Sequence, residues 1–129
     1  MSSTTIDDLG RFALFLGLEI DVAGVDEVAA HWEVRGDLHQ LDGLLHGGAH
    51  CGGVETLASL GAALWLGDRG KVMGVSDRTD FFRAATDGAV RSTARPIHRG
   101  RSQQVWLVET LDVQDRMVAR GQVRLQNLS

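Results

Sequence analysis

The chain has 129 residues, the size of one domain, and 43% of them are hydrophobic, which suffices for a core without disulfides or metal. A net charge of −4 argues against general nucleic-acid binding, because phosphate backbones are held by excess lysine and arginine. One cysteine, no secretion signal and no apolar run of membrane-spanning length favour a soluble cytoplasmic protein without a membrane partner. Since no linker or repeat divides the chain, we expect a single domain over residues 1–129.

The N-terminal third predicts a short helix and a hairpin. Thr4 or Thr5, followed by two aspartates, suits a helix start, and apolar residues recur at helical spacing up to Gly17. From Leu18 to Gly36 the pattern alternates as in strands, and the turn-like residues 23–26 interrupt it. A polar loop is expected at residues 37–46.

The rest of the chain predicts one long helix and four strands. Residues 47–67 carry almost no charge and are too many for a strand, which predicts a helix buried on most sides. Extended segments follow at 72–82, 89–97, 103–113 and 117–126, and Pro96 suits a strand edge, end or bulge. The order predicts an α+β fold in which an antiparallel sheet of about six strands wraps around one central helix.

Glu55 is the only acidic residue of the long helix. Because a carboxylate among apolar residues is costly to desolvate, we expect Glu55 to be buried and used in chemistry, as a nucleophile or as the base that activates water. The alternatives are a buried ion pair with an arginine and an exposed stripe one residue wide. Ser59 lies four residues on, on the same face, where it either orients the reacting groups or packs.

Gly47 and Gly48 lie where this helix begins. Free N–H groups of a first turn stabilise a developing oxyanion, although the glycines could also serve only a tight turn. Gly47 and Glu55 are eight residues apart, or ~12 Å along a helix, so one carbonyl group cannot meet both in one chain. If both act on one carbonyl group, they come from the two chains of a two-fold dimer.

The run Leu45-His46-Gly47-Gly48, followed by Glu55, resembles the hotdog-fold thioesterases related to 4-hydroxybenzoyl-CoA and phenylacetyl-CoA thioesterases. TDFFRAA at 79–85 and RPIHRGRS at 95–102 look like strands of that family. The resemblance implies a hotdog fold and hydrolysis of a small aryl or medium-chain acyl-CoA to the free acid and CoA. It also implies a homodimer with shared active sites, paired into a dimer of dimers, and no cofactor, because coenzyme A is part of the substrate.

The resemblance also implies roles for individual residues. Glu55 acts as base or nucleophile, the Gly47 N–H of the partner subunit binds the oxyanion, and Gln40 and Ser59 assist. The implied substrate-binding residues are His46, Gly48, Arg83, Arg101 and Ser102. Glutamate at 55, with Gln40 and Ser59, looks more like the aryl-CoA branch. His50 and Cys51 depart from the family's small or apolar residues, which leaves the shape of the pocket open.

Four arginines and no acidic residue lie between residues 88 and 101. Arg91, Arg95 and Arg99 share one face of a strand, so they predict an anion site for the CoA phosphates, with Arg83 approaching from the preceding strand. The alternative for each is a solvated strand face or a cross-strand ion pair.

Other readings of the sequence are weaker. His46 and His50, with His39 and Cys51, have the spacing of metal ligands, but the set lacks a second acid and we expect no metal. Cys51 is expected to be a buried, inert thiol because the adjacent His50 points elsewhere. A non-catalytic acyl-CoA-binding domain is the main alternative function, and a hotdog dehydratase ranks last.

Overall fold

The computed structural model describes residues 9–129, and over this range the chain forms two α-helices and six strands. The elements are α1 Arg11–Leu16, β1 Glu19–Ala23, β2 Val28–Glu33, α2 Gly47–Leu66, β3 Lys71–Phe81, β4 Ala89–Arg99, β5 Gln103–Leu111 and β6 Met117–Leu128. Two short 3-10 turns occupy Gly36–Leu38 and Gly67–Arg69. The predicted order is confirmed, whereas the helix start predicted at Thr4 or Thr5 lies outside the described residues.

The six strands form one antiparallel sheet in the order β1-β2-β4-β5-β6-β3. Pro96 lies at a bulge, since the pairing of β4 with β5 shifts between Pro96 and His98, and β2 pairs with β4 only as far as Ala94. Proline therefore costs the sheet no hydrogen bond, as predicted. The order leaves β3 as an edge strand of the sheet.

Helix α2 lies against the inner face of the sheet at very short range. A methyl group at Gly61 would lie 2.6 Å from Trp106 Cζ3, and one at Gly121 would lie 2.5 Å from Val54 Cγ1. Glycine at these two positions therefore lets the helix and the sheet approach each other. The buried Gln104 ties them further, because its Nε2 donates to Ala62 O at 3.2 Å.

The prediction that α2 is buried on most sides is confirmed. Among its residues, only three are exposed, and their spacing of seven and eight places them on one stripe: Gly48, Glu55 and Ala63. This stripe is the side of the helix that carries the predicted carboxylate.

Candidate active site

The start of α2 offers one unused backbone donor. His46 is the N-cap, and its Nδ1 accepts a hydrogen bond from Gly48 N at 2.7 Å. The N–H groups of Ala49 and His50 donate to His46 O at 2.9 and 3.2 Å. Within residues 9–129, the Gly47 N–H makes no hydrogen bond. Gly47 N is thus the donor of this turn that is available to a ligand, at the positive end of the helix dipole.

A cleft of about 350 Å³ opens beside this donor. Its lining brings together three predicted residues, Gln40, Gly47 and Arg83, and adds His50 and Phe81. The other lining residues are Leu44, Leu45, Phe82, Ala84 and Ala85. A methyl group on Gly47 would lie 3.1 Å from Phe81 Cζ, so the absence of a side chain keeps the space next to this N–H open. We call this space the oxyanion cleft.

Gln40 organises the loop that borders the oxyanion cleft. Its Oε1 accepts hydrogen bonds from the N–H groups of Asp42 and Leu44, the latter at 3.3 Å. Because the side-chain oxygen is occupied by its own loop, Nε2 is the group that remains to donate to a ligand.

Glu55 and Ser59 line a different cleft, of about 600 Å³, which we call the carboxylate cleft. Its other lining residues are Leu9, Phe12, Ala13, Gly52, Thr56, Leu60, Ala63 and Val72. The predicted burial of Glu55 is wrong for the single chain, where the residue is exposed, as in the stripe alternative. The reason lies in the packing of α2: a methyl group on Gly74 would lie 3.0 Å from Glu55 Oε2, which places the carboxylate over the edge strand β3.

The helix is continuous between the two clefts. Gly47 and Glu55 both belong to α2, so the separation of ~12 Å that was derived from helix rise applies. The Gly47 N–H and the Glu55 carboxylate of one chain therefore cannot both reach the same carbonyl group.

The arginines of β4 are engaged in ion pairs. Arg91 pairs with Asp115, Arg95 with Glu27 at 2.8 Å, and Arg99 with Asp26 at 2.9 Å. The ion-pair alternative therefore holds for all three, although the partners lie in the turns between strands rather than on a neighbouring strand. Exposed pairs of this kind add little stability.

Arg83 and Arg101 behave differently, because neither takes part in an ion pair among the described residues. Arg101 and Ser102 line a cleft of about 880 Å³ at the far end of α2, together with Trp65, Arg69 and Arg99. The guanidinium carbons of Arg69 and Arg99 lie 4.3 and 5.2 Å from the centroid of the Trp65 ring. This surface presents several positive charges around an aromatic ring.

No cluster of three possible metal ligands occurs among residues 9–129. Cys51 is a free, half-buried thiol. His50 is 4% exposed, its Nδ1 has no hydrogen-bond partner, and burial lowers its pKa to about 4. The ring packs against Trp32 and Phe81, with centroid distances of 6.2 and 5.6 Å. The sequence signal for this residue was a polar side chain within a helix of almost entirely apolar residues.

In the described part of the chain, neither helix has the length and apolar character that crossing a membrane requires.

Comparisons with known proteins place this geometry in a family. The model of the thioesterase superfamily matches residues 42–119. The crystal structure of AziG from S. sahachiroi is 56% identical, covers 93% of this chain and 98% of AziG, and superposes with a TM-score of 0.91. Rv1847 of Mycobacterium tuberculosis, whose name describes it as an esterase, is 51% identical to this chain over 116 residues. These residues are 88% of this chain and 83% of the relative.

A third relative has a more specific name. The 1,4-dihydroxy-2-naphthoyl-CoA hydrolase of Escherichia coli is 32% identical over 108 residues, 84% of this chain and 79% of that enzyme. The chain therefore belongs to the thioesterase superfamily, with the hotdog architecture that the sequence resemblance implied and with thioester hydrolysis as the activity that its relatives support.

Proposed function

We propose that the chain is an acyl-CoA thioesterase that releases a free acid and CoA at sites shared between the two subunits of a homodimer. The observation that carries the proposal is the division of functional groups between two clefts. The unused Gly47 N–H lies in one cleft and the Glu55 carboxylate in the other, at opposite ends of ~12 Å of helix. A two-fold axis that faces the oxyanion cleft of one subunit to the carboxylate cleft of its partner completes two identical sites.

In such a site, each group has one task. The Gly47 N–H and the Gln40 Nε2 donate to the carbonyl oxygen and stabilise the negative charge that develops there. Glu55 of the partner subunit takes a proton from water, whose oxygen attacks the carbonyl carbon, or attacks that carbon itself. Ser59 lines the same cleft as Glu55 and orients the carboxylate or the water. The C–S bond then breaks, and CoA leaves as the thiol with the proton that Glu55 took from water. Where Glu55 itself attacks, CoA takes its proton from solvent, and water then hydrolyses the mixed anhydride to the free acid.

The edge strand β3 is the surface that we assign to the dimer. It has a free sheet edge in the chain and several exposed apolar side chains, among them Met73, Val75 and Phe81, which are 50 to 54% exposed. An unpaired edge with apolar side chains favours pairing with a second strand. Glu55 lies over this strand at Gly74, so pairing along β3 brings the partner subunit to the carboxylate. Two such dimers pair into a tetramer in the proposed cytoplasmic assembly.

Arg83, Arg101 and Ser102 are the proposed contacts of the CoA phosphates. Arg83 lines the oxyanion cleft, and Arg101 lines the arginine-rich cleft around Trp65. Guanidinium groups without a carboxylate partner bind phosphate through charge-assisted hydrogen bonds. His46 and Gly48 shape the helix start that the thioester approaches, since the Gly48 N–H is already bonded to the His46 ring. We propose an aromatic acyl group, as in the name of the Escherichia coli relative.

A mixing experiment tests the shared site. Glu55→Ala removes the carboxylate, and Gly47→Pro removes the donor, so each homodimer is expected to be nearly inactive on benzoyl-CoA. When the two variants are refolded together, half of the dimers are mixed and each has one intact site, so about a quarter of the wild-type activity returns. Free thiol is measured against wild type refolded in the same way.

The control pairs Glu55→Ala with the double variant Gly47→Pro/Glu55→Ala, a mixture in which no intact site forms. Return of no activity in the first mixture, while the dimers do exchange subunits, contradicts the shared site. Binding of acyl-CoA by the wild type without thiol release from any thioester identifies a non-catalytic acyl-CoA-binding domain instead.

A further inference from the structure

Two ring nitrogens of the described residues are buried without a hydrogen-bond partner, His39 Nε2 and His50 Nδ1. Of these two histidines, only His50 is itself a buried residue, and only His50 lines the oxyanion cleft. Ser92 and Thr110 bond to each other at 2.7 Å, and Gln104 bonds to Ala62 and Asn127. By contrast, His50 Nδ1 has no partner, although the residue is 4% exposed. An unpaired polar atom inside a protein is unfavourable, so its presence calls for an explanation such as a functional role of the ring.

The imidazole of His50 is neutral at physiological pH, because burial lowers its pKa to about 4. A neutral imidazole has one N–H donor and one acceptor lone pair, so it can both donate to and accept from a hydroxyl group. The imidazole contacts the rings of Trp32, edge-on, and Phe81, at a tilt. Within residues 9–129, neither of these side chains forms a hydrogen bond with it, since Trp32 Nε1 donates to Ser92.

The position of His50 relates it to the oxyanion donor. His50 follows Gly47 by three residues, so both lie on one face of the first turn, and the Cα–Cβ bond of a helical residue tilts toward the N-terminus. Both residues line the oxyanion cleft, and Phe81 contacts both of them. The Cβ positions of residues three apart on a helix are separated by about 5 to 6 Å.

We propose that His50 recognises a hydroxyl group ortho to the thioester carbonyl of an aromatic acyl group. This inference rests on the proposed function, which places the carbonyl oxygen about 3 Å from Gly47 N. An ortho hydroxyl lies about 2.7 Å from that oxygen, at ordinary O–H···O distance, and one further hydrogen bond joins the hydroxyl to the imidazole. The name of the Escherichia coli relative describes such an acyl group, with its carbonyl at position 2 and a hydroxyl at position 1.

The test compares 2-hydroxybenzoyl-CoA, 4-hydroxybenzoyl-CoA and benzoyl-CoA. The wild type is expected to hydrolyse the 2-hydroxy substrate with a kcat/KM about tenfold above that of benzoyl-CoA. His50→Leu keeps the approximate volume of the side chain without hydrogen-bonding groups, and it is expected to reduce that ratio to within about twofold of one. The ratio of 4-hydroxybenzoyl-CoA to benzoyl-CoA is expected to stay constant, since its hydroxyl does not reach His50.

A packing role predicts a different outcome, in which His50→Leu changes all three substrates in parallel. That result, or a wild type without ortho preference, overturns the inference. If His50→Leu does not fold, His50→Gln retains hydrogen-bonding groups in a flexible side chain and is expected to retain part of the preference. If His50→Gln prefers the ortho substrate no more than a folded His50→Ala variant does, the inference is likewise overturned.

A binding measurement separates this inference from the proposed function. In a Glu55→Ala background, calorimetric titration is expected to give about tenfold tighter binding of 2-hydroxybenzoyl-CoA than of benzoyl-CoA, and His50→Leu to abolish the difference. If the wild type hydrolyses none of the thioesters, the proposed function fails, and this titration still decides whether His50 reads the ortho hydroxyl. Equal affinities for the two ligands refute the role of His50.

Discussion

Gly47→Pro is expected to remove one hydrogen-bond donor from the site while leaving the start of α2 in place. Proline is favoured at the first helical position, which Gly47 occupies. The preceding His46 has φ −63° and ψ 137°, the extended conformation that a residue before proline adopts. The Gly47 N–H makes no hydrogen bond within the described residues, so its loss costs the fold little.

The expected loss follows from the role of the donor. Removal of one oxyanion donor lowers kcat by about 10²- to 10³-fold, or about 2.7 to 4 kcal/mol. Gly47→Ala is the matched control: it adds the same Cβ, 3.1 Å from Phe81 Cζ, but keeps the N–H. Phe81 is 52% exposed, so its ring can move aside, and the alanine variant is expected to retain kcat within about tenfold.

The assay measures kcat from thiol release by benzoyl-CoA at saturating substrate, with thermal unfolding as the check on folding. Equal kcat values for the proline and alanine variants, both folded, refute the assignment of Gly47 N as the oxyanion donor. A large loss in the alanine variant alone would assign the effect to displacement of Phe81.

Three further predictions concern stability and CoA binding. Between pH 6.5 and 4, His50 is protonated in the unfolded chain but not in the folded chain, so the free energy of unfolding falls by about 3 kcal/mol as the pH falls. Urea titrations of His50→Leu are expected to lack this part of the pH dependence. Gly61→Ala places a methyl group 2.6 Å from Trp106 Cζ3, and urea titration is expected to show a loss of about 1 to 3 kcal/mol in the free energy of unfolding, although alanine has the higher helix propensity. An increase in stability would contradict the close approach of helix and sheet at Gly61. Arg101→Ala is expected to raise KM for acyl-CoA about tenfold at unchanged kcat, whereas Arg91→Ala, whose arginine pairs with Asp115, leaves KM unchanged; equal effects contradict the assigned phosphate contact.

Local patterns in the sequence predicted most of the elements. The alternation of Val28, Ala30 and Trp32 is visible without a structure, and these side chains are buried because alternate residues of a strand share a face. The uncharged segment from Gly47 was long enough to indicate a helix, and Pro96 indicated an irregular position in a strand. Each of these signals depends on neighbouring residues alone.

The surroundings of Glu55 were beyond such signals. Almost every residue of α2 is apolar, so no stripe in the sequence marks which side of the helix faces the sheet. The carboxylate is exposed because α2 lies with that side over the edge strand β3, and the position of β3 beside β6 is a property of the strand order.

Long-range pairing likewise decided the fate of the arginines. The sequence predicted that Arg91, Arg95 and Arg99 share a strand face. This is wrong for Arg99, because the bulge between Pro96 and His98 places it opposite the buried Gln104, whereas Arg95 lies opposite Leu107. Arg95 pairs with Glu27, which is 68 residues away in the chain. The sequence by itself determined the elements, the helix that carries Gly47 and Glu55, and the distance between these two residues, because helix rise is a local constant. Only the tertiary structure decided which charges are neutralised, and only it placed His50 in a buried position beside Gly47 without a hydrogen-bond partner for Nδ1. Both depend on residues that meet only when the sheet and the helix pack.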